Sequence, residues 1–216
     1  MLIAGIDEAG RGPVLGPMVL ACVVIDSDDE AAIKKAGVRD SKELKPEKRE
    51  SLYSMIRGIA KEVASVHVPA SEIDLLRKSI SLNELEARKI AGLLDGLSCR
   101  PEVVYVDAPD TIEANFAKRI AKCGITHKIV SEHKADSNYT VCSAASVIAK
   151  VERDLAVREL EGRYGRLGSG YPHDPETIGF LNRCIDRKEY PDIIRQSWDT
   201  FDRLVKDRAQ KRLDFY

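Results

Sequence analysis

The sequence predicts an α/β fold, a mixed β-sheet flanked by helices and followed by a C-terminal helical subdomain. Three observations carry that expectation. Short apolar runs rich in Val and Ile recur between stretches of helical periodicity, the alternation that builds a helix-covered sheet. The first two runs, Leu2 to Asp7 and Met18 to Ile25, are joined only by the Gly/Pro-rich loop Gly10 to Pro17, so they pair antiparallel. Beyond a glycine-rich loop at Gly165 to Pro175, the pattern is helical to the end.

The elements follow in order. Glu30 to Ala36 reads as a short helix, and Arg39-Asp40-Ser41-Lys42 as a polar loop. Pro46 suits a first helical turn, where its missing N–H costs nothing, and that helix runs to about Lys61. Val63 to Val68 alternates apolar and polar residues, a third strand. Ser81-Leu82-Asn83-Glu84 is a capping box opening a helix through Leu97. Val103 to Val106 is a buried strand ending at Asp107, and Pro109 stops it. Thr111 to Cys123 is a helix, Ile125 to Val130 a strand, and Val141 to Gly162 a long helix. Domain boundaries are expected at 1–164 for the sheet domain and 165–216 for the loop and helical subdomain.

Composition narrows the function. At 216 residues the chain can bury one good core with a small appendage, and 44% hydrophobic with 32% charged residues is globular. Lys and Arg number 34 against 35 acids, a net charge of −1, so no general field draws a polyanion. Any nucleic-acid contact must be a local patch in which cations offset the protein's own acids. The five cysteines are scattered without a C-x-x-C, which points to reduced thiols and away from zinc. No basic leader precedes the first strand, and no apolar run approaches the ~20 residues that cross a bilayer, so a cytoplasmic protein without membrane contact is expected.

The chemistry concentrates in Gly5-Ile6-Asp7-Glu8-Ala9-Gly10-Arg11-Gly12. Two carboxylates at the end of a core strand are costly unless water, a cation or a hydrogen bond meets them. Gly10 and Gly12 let a backbone approach a ligand, and Arg11 adds a fixed positive charge. The glycines do not have dinucleotide-binding spacing, and no G-x-x-x-x-G-K-[ST] follows. Asp107 closes another strand, and Asp136 lies between the last strand and the long helix. Singly, Asp107 reads as a turn residue and Asp136 as a helix-flanking acid. Together, four carboxylates at strand ends would repel one another unless divalent cations sat between them. Mg²⁺ or Mn²⁺ suits such oxygen donors, and two ions ~4 Å apart can activate water and stabilise a phosphodiester's leaving oxygen. Lys42 is a candidate phosphate contact, set against a solvated loop lysine, and His133 a candidate proton shuttle, set against a surface histidine. Tyr171, in Gly168-Ser169-Gly170-Tyr171-Pro172, suits stacking on a base or sugar, with Arg166 and His173 beside it. Trp198 is expected to pack the tail helix.

The segment Gly5 to Pro13 closely resembles the opening of type 2 ribonucleases H, the ribonuclease HII family. The resemblance continues, in order, through Asp40-Ser41-Lys42, Tyr105-Val106-Asp107, Lys134-Ala135-Asp136, Ser143 to Lys150 and Gly168 to Pro172, in the form of the archaeal branch. It implies the ribonuclease H-like fold and two-metal-ion hydrolysis of RNA in RNA–DNA hybrids, including cuts 5′ of ribonucleotides embedded in duplex DNA, with 5′-phosphate and 3′-hydroxyl ends. Asp7, Glu8, Asp107 and Asp136 match the family's catalytic carboxylates, which hold Mg²⁺ or Mn²⁺. Gly10, Arg11 and Gly12 match the motif that senses the 2′-hydroxyl, and Tyr171 the tyrosine packed on the next deoxyribose. A monomer is expected. The rivals are a DNA-only nuclease of this fold and a non-catalytic binding module, the latter usually carrying a basic surplus that this chain lacks.

Overall fold

Five strands, β1 (Leu2–Ala9), β2 (Met18–Asp26), β3 (Glu62–Val68), β4 (Val103–Asp107) and β5 (Lys128–Glu132), form one sheet in the order β3-β2-β1-β4-β5. The computed structural model of the chain describes residues 1–38 and 46–213. The first two strands pair antiparallel, from Leu2↔Asp26 to Ala9↔Val19. β4 runs parallel to β1 and β5 parallel to β4, which makes the sheet mixed. Every residue of β2 from Met18 to Ile25 is buried, as a central strand covered on both faces should be.

The helices are α1 (Glu30–Lys35), α2 (Pro46–Ile59), α3 (Ala70–Leu76), α4 (Leu82–Asp95), α5 (Glu113–Lys122), α6 (Ala135–Asn138), α7 (Thr140–Tyr164), α8 (Pro175–Arg187) and α9 (Asp199–Leu213). The capping box forms its cap, with Ser81 Oγ accepting the Glu84 N–H at 3.2 Å. Several features differ from the sequence-based expectation, among them a one-turn α6 that it did not contain. β5 begins at Lys128 rather than Ile125, because its partner β4 starts only at Val103 after Pro101, whose carbonyl takes the His127 ring N–H at 3.1 Å. α3 shows little in the sequence, being seven residues long and opened by Pro69 without a side-chain cap. The tail is broken between α8 and α9, where Lys188 adopts φ 57°.

Contacts group the residues into two compact units. The first comprises Met1–Ala9, the described part of Val19–His67, and Ser81–Arg153. Its core packs Val19, Ala21, Val23 and Ile25 of β2 with Leu52 and Ile56 of α2 and with Val141, Ala145 and Ile148 of α7. Fully burying each such Val, Leu or Ile contributes ~1.5–3 kcal/mol. The second comprises Gly10–Met18, Val68–Ile80 and the chain from Asp154 onward. Its core joins Val14 and Leu15 to Leu167, Phe180, Leu181 and Ile194, with Leu15 and Ile194 forming a β-bridge. Among the described residues no helix is long and apolar enough to cross a membrane.

Candidate active site

The parallel pairing of β1 with β4 runs from Ile3↔Val103 to Ile6↔Val106, and one more step of that register sets Asp7 beside Asp107. The carboxylate oxygens of Asp7, Glu8 and Asp107 offer three atoms that all lie within 4.8 Å of one another. Asp7, 7% exposed, turns Oδ1 back to accept the Glu8 N–H at 2.8 Å. Asp107 Oδ1 accepts the Ala135 N–H at 2.8 Å, which ties the end of β4 to the start of α6. That tie places Asp136 in the first turn of α6, where it is buried and takes a hydrogen bond from the Ser137 hydroxyl at 3.4 Å. Asp136 is not one of the three clustered carboxylates, although its charge, with those of Asp7 and Asp107, reaches the Cys142 thiol.

α7 closes the site from below because residue 5 is glycine. A Cβ there would stand 2.3 Å from the carbonyl carbon of Val141, a separation no side chain tolerates, so only Gly5 lets the first turn of α7 cross β1. Cys142 Sγ then reaches the Tyr105 carbonyl at 3.3 Å. Two turns of α7 further on, Lys150 Nζ donates to Ser146 Oγ at 2.6 Å, and Ser146 hydrogen-bonds Asp7. Burial pushes the Asp7 carboxyl well above the usual range and the Glu8 charge pushes it the same way; Ser146 and Lys150 pull it back. In the sequence Ser146 and Lys150 stand within the Ser143 to Lys150 motif. The signal for them was a polar pair four residues apart on an otherwise buried helix face.

Neighbouring groups are committed elsewhere. Glu132 pairs with Asp107 across the sheet, yet it accepts the Tyr139 hydroxyl at 2.8 Å, and that bond pushes Tyr139 up to about 12. Tyr139 also stacks on Tyr105 with ring centroids 4.1 Å apart. His133 is held by its own atoms, its backbone N–H on Glu113 at 2.7 Å and Nδ1 donating to the Ala108 carbonyl at 3.1 Å. Asp7, Glu8 and Asp107 thus present an all-oxygen set of crowded anions, the donor chemistry a hard divalent cation takes. A cation there would offset both the burial of the Asp7 carboxyl and its repulsion by Glu8, the two largest causes that raise it.

A second constellation lies wholly within the other unit. Val14 and Leu15 donate their N–H groups to the Gly170 carbonyl at 2.8 and 3.4 Å, so the Gly10–Gly16 loop is laced to the loop bearing Tyr171. The Tyr171 ring lies against Gly12, where an added Cβ would sit 3.5 Å from Cε1. Gly168 has φ 69°, and a Cβ there would meet Asp174 Oδ2 at 2.8 Å, so both backbone and space demand glycine. Asp174 accepts N–H bonds from Ser169 at 2.7 Å and Glu176 at 2.9 Å, and these hold its carboxyl down at about 2. His173 lies beside Tyr171 with rings 5.6 Å apart, while Arg166 pairs with Glu176 at 2.9 Å. Trp198 packs against the local core as expected, and its Nε1 also donates to the Gly12 carbonyl at 3.2 Å, which the sequence did not show. Lys42, with Asp40 and Ser41, lies outside the described residues.

A family model described as Ribonuclease HII matches residues 4–201. The ribonuclease HII of Thermococcus onnurineus is 42% identical over 98% of this chain and 95% of its own length. The crystal structure of ribonuclease H2 from Pyrococcus horikoshii OT3 aligns with a TM-score of 0.89 at 40% identity, covering 97% of this chain and 100% of that one. A ribonuclease HII solved in complex with PCNA from Archaeoglobus fulgidus aligns with a TM-score of 0.85 at 37% identity, covering 92% of this chain and 96% of that one.

Proposed function

The chain belongs to the ribonuclease HII family, and on that premise we propose that it cuts the RNA strand of RNA–DNA hybrids and the 5′ side of ribonucleotides embedded in duplex DNA, leaving 5′-phosphate and 3′-hydroxyl ends. It is a metal-dependent endoribonuclease with the ribonuclease H-like fold. The observation that carries the reading is the convergence of Asp7, Glu8 and Asp107 at adjacent parallel strand ends of a chain that the family model matches from residue 4 to residue 201.

Asp7, Glu8 and Asp107 would hold Mg²⁺ or Mn²⁺, with Asp136 as the fourth catalytic carboxylate. Two such ions, when bound, supply activation of a water and charge for the leaving 3′ oxygen. The protein's own part is to aim those carboxylates. Sheet register fixes Asp7 and Asp107, Ser146 fixes the Asp7 rotamer, and the Ala135 N–H fixes Asp107. The backbone of Gly10, Arg11 and Gly12 contacts the ribose 2′-hydroxyl, Tyr171 stacks on the following deoxyribose, and Lys42 contacts a phosphate. A hydroxyl on that second sugar would face the Tyr171 ring, which favours an apolar face. The protein acts as a monomer, and the Archaeoglobus assembly supports PCNA as a partner.

The test is cleavage of labelled RNA–DNA, RNA–RNA, DNA–DNA and single-ribonucleotide duplexes, with and without Mg²⁺ or Mn²⁺. Only the first and last should be cut, and only with metal. Tyr171→Ala should slow the single-ribonucleotide substrate in proportion to a lost stacking contact, ~1–3 kcal/mol. Indifference of the wild type to the embedded ribonucleotide refutes the junction reading.

A further inference from the structure

Arg195 is fully buried, at 0% exposure, and none of the motifs contains it. A guanidinium cannot shed its charge and offers only donors, so burying one is costly unless those donors are met. Here they are met by one loop. Nη2 donates to the carbonyls of Gly10 at 2.6 Å and Gly16 at 3.0 Å, Nη1 to that of Arg11 at 3.1 Å, and Nε to that of Gly16 at 3.1 Å. The guanidinium lies 4.8 Å from the Trp198 ring centroid, and the indole of Trp198 secures the Gly12 carbonyl. The backbone N–H of Arg195 donates to Val14 at 2.9 Å.

The three carbonyls of Gly10, Arg11 and Gly12 are therefore all pinned by Arg195 and Trp198. Among the described residues no peptide bond is cis, and a trans peptide points its N–H opposite its C=O. Holding the Gly10 and Arg11 carbonyls inward turns the N–H groups of Arg11 and Gly12 outward. The next residue, Pro13, has no N–H, so the donor array ends there. Two successive amides turned away from a buried cation form the kind of concave donor pair that grips an oxygen.

We infer that Arg195 is a positioning residue for ribose recognition: by clamping the Gly10, Arg11 and Gly16 carbonyls it aims the Arg11 and Gly12 amides at the 2′-hydroxyl. The inference rests on the proposed reading of Gly10-Arg11-Gly12 as the 2′-hydroxyl contact. Lysine cannot replace the fork, since one ammonium on a flexible stem does not span three carbonyls in fixed geometry. An arginine that only stabilised its unit would, when replaced, lower cleavage of every substrate alike.

The experiment compares kcat/KM, with enzyme in excess, on a duplex carrying one ribonucleotide and on the same duplex with a 2′-fluoro nucleotide at that position. Wild type should strongly prefer the hydroxyl. In Arg195→Lys that preference should shrink about tenfold, the scale of coupling between groups in contact. Trp198→Phe, which keeps an aromatic ring but cannot make the Gly12 bond, should shrink it about threefold on the same scale. The melting temperature and Mn²⁺ binding should confirm folded proteins. Equal losses on both substrates in folded Arg195→Lys, or an unchanged preference in Trp198→Phe should the lysine variant not fold, overturns the inference and leaves the reading of the motif standing. A wild type with no preference removes that reading, and the inference with it.

Discussion

Replacing Asp7 by Asn tests the carboxylate cluster in two directions at once. Asp7 belongs to two of the three anion pairs in the cluster, and the ligand atoms lie within 4.8 Å of one another. At an effective dielectric near 20, a pair at that separation repels by about 3 kcal/mol. Part of this is already relieved in the wild type, because burial, the Glu8 charge and, more weakly, the Asp107 charge favour the protonated Asp7 carboxyl. Asn keeps an oxygen for the Glu8 N–H and can present N–H donors to the remaining carboxylates. Metal-free Asp7→Asn should therefore be more stable than wild type at pH 8, by about 1–3 kcal/mol, or roughly 2–10 °C in a chain of this length.

The sign with pH follows from the direction of the shift. The folded carboxyl holds its proton more tightly than the unfolded one, so between the two pKa values the folded state carries more protons. Wild-type stability then falls as pH rises through that window, and the variant's does not, so the gap between them closes on acidification. Saturating Mn²⁺ should reverse the order, since binding to the folded state alone gives wild type about 4.1 kcal/mol at roughly a thousandfold excess over Kd. Turnover in Mg²⁺ should fall at least as far as the roughly 100-fold lost when only a ligand's hydrogen-bond partner is removed. Substrate binding should persist or improve, because one anion has gone from beside the phosphate. The assays are thermal melts in chelator and in Mn²⁺ at two pH values, alongside turnover. A metal-free variant melting below wild type at pH 8, or one retaining much of its turnover, would refute the reasoning.

Three further outcomes are expected. Gly5→Ala forces a methyl into the Val141 backbone, 2.3 Å away, and should cost at least the ~1–3 kcal/mol of overpacking and weaken Mn²⁺ binding as α7 shifts; undisturbed binding would show that α7 does not set the site. Asp174→Ala should cost ~1 kcal/mol through the lost cap of α8. Because the Asp174 carboxyl is held at about 2, below an unfolded value of about 3.9, that contribution is present above pH ~4 and lost as pH falls toward 2, so urea midpoints of the two proteins should converge at low pH. All five cysteines are free, so reductant should leave melting temperature and activity unchanged, and alkylation should reach exposed Cys123 well before Cys22, whose buried thiol is pushed up to about 12.

What the sequence made legible was whatever one element decides by itself. β2 is apolar at almost every position because both faces are covered, and Ser81 caps α4 through a pattern four residues long. The clustering of Asp7 with Asp107 needed one more fact, the register of two strands about a hundred residues apart, and no periodicity in either strand encodes it. The strand-end rule raised the expectation that the acids would meet, and for Asp7, Glu8 and Asp107 they do. Asp136 sits on a one-turn helix whose placement depends on the Ala135–Asp107 hydrogen bond, a tertiary contact invisible beforehand. Ser146 and Lys150 lie on α7, and their approach to Asp7 is a tertiary contact between that helix and β1 that no local pattern carries.

The same distinction explains why one short stretch serves two purposes. Glu8 and Gly10 are two residues apart, yet contacts assign them to different units. Asp7 and Glu8 take their positions from sheet pairing and from α7, and changes there alter the charge available to a cation. Gly10 to Gly16 take theirs from Gly170, Ile193 and Arg195, residues more than 150 positions away in sequence. A loop with three glycines has little conformation of its own, so its shape must be imposed by hydrogen bonds from elsewhere. Here the chain supplies them with a buried guanidinium that satisfies three carbonyls at once. Substitutions at the carboxylates should thus change metal dependence and rate, whereas substitutions at Arg195 should change which sugar is chosen. That separation follows from where each hydrogen bond originates, and the motif's sequence alone does not contain it.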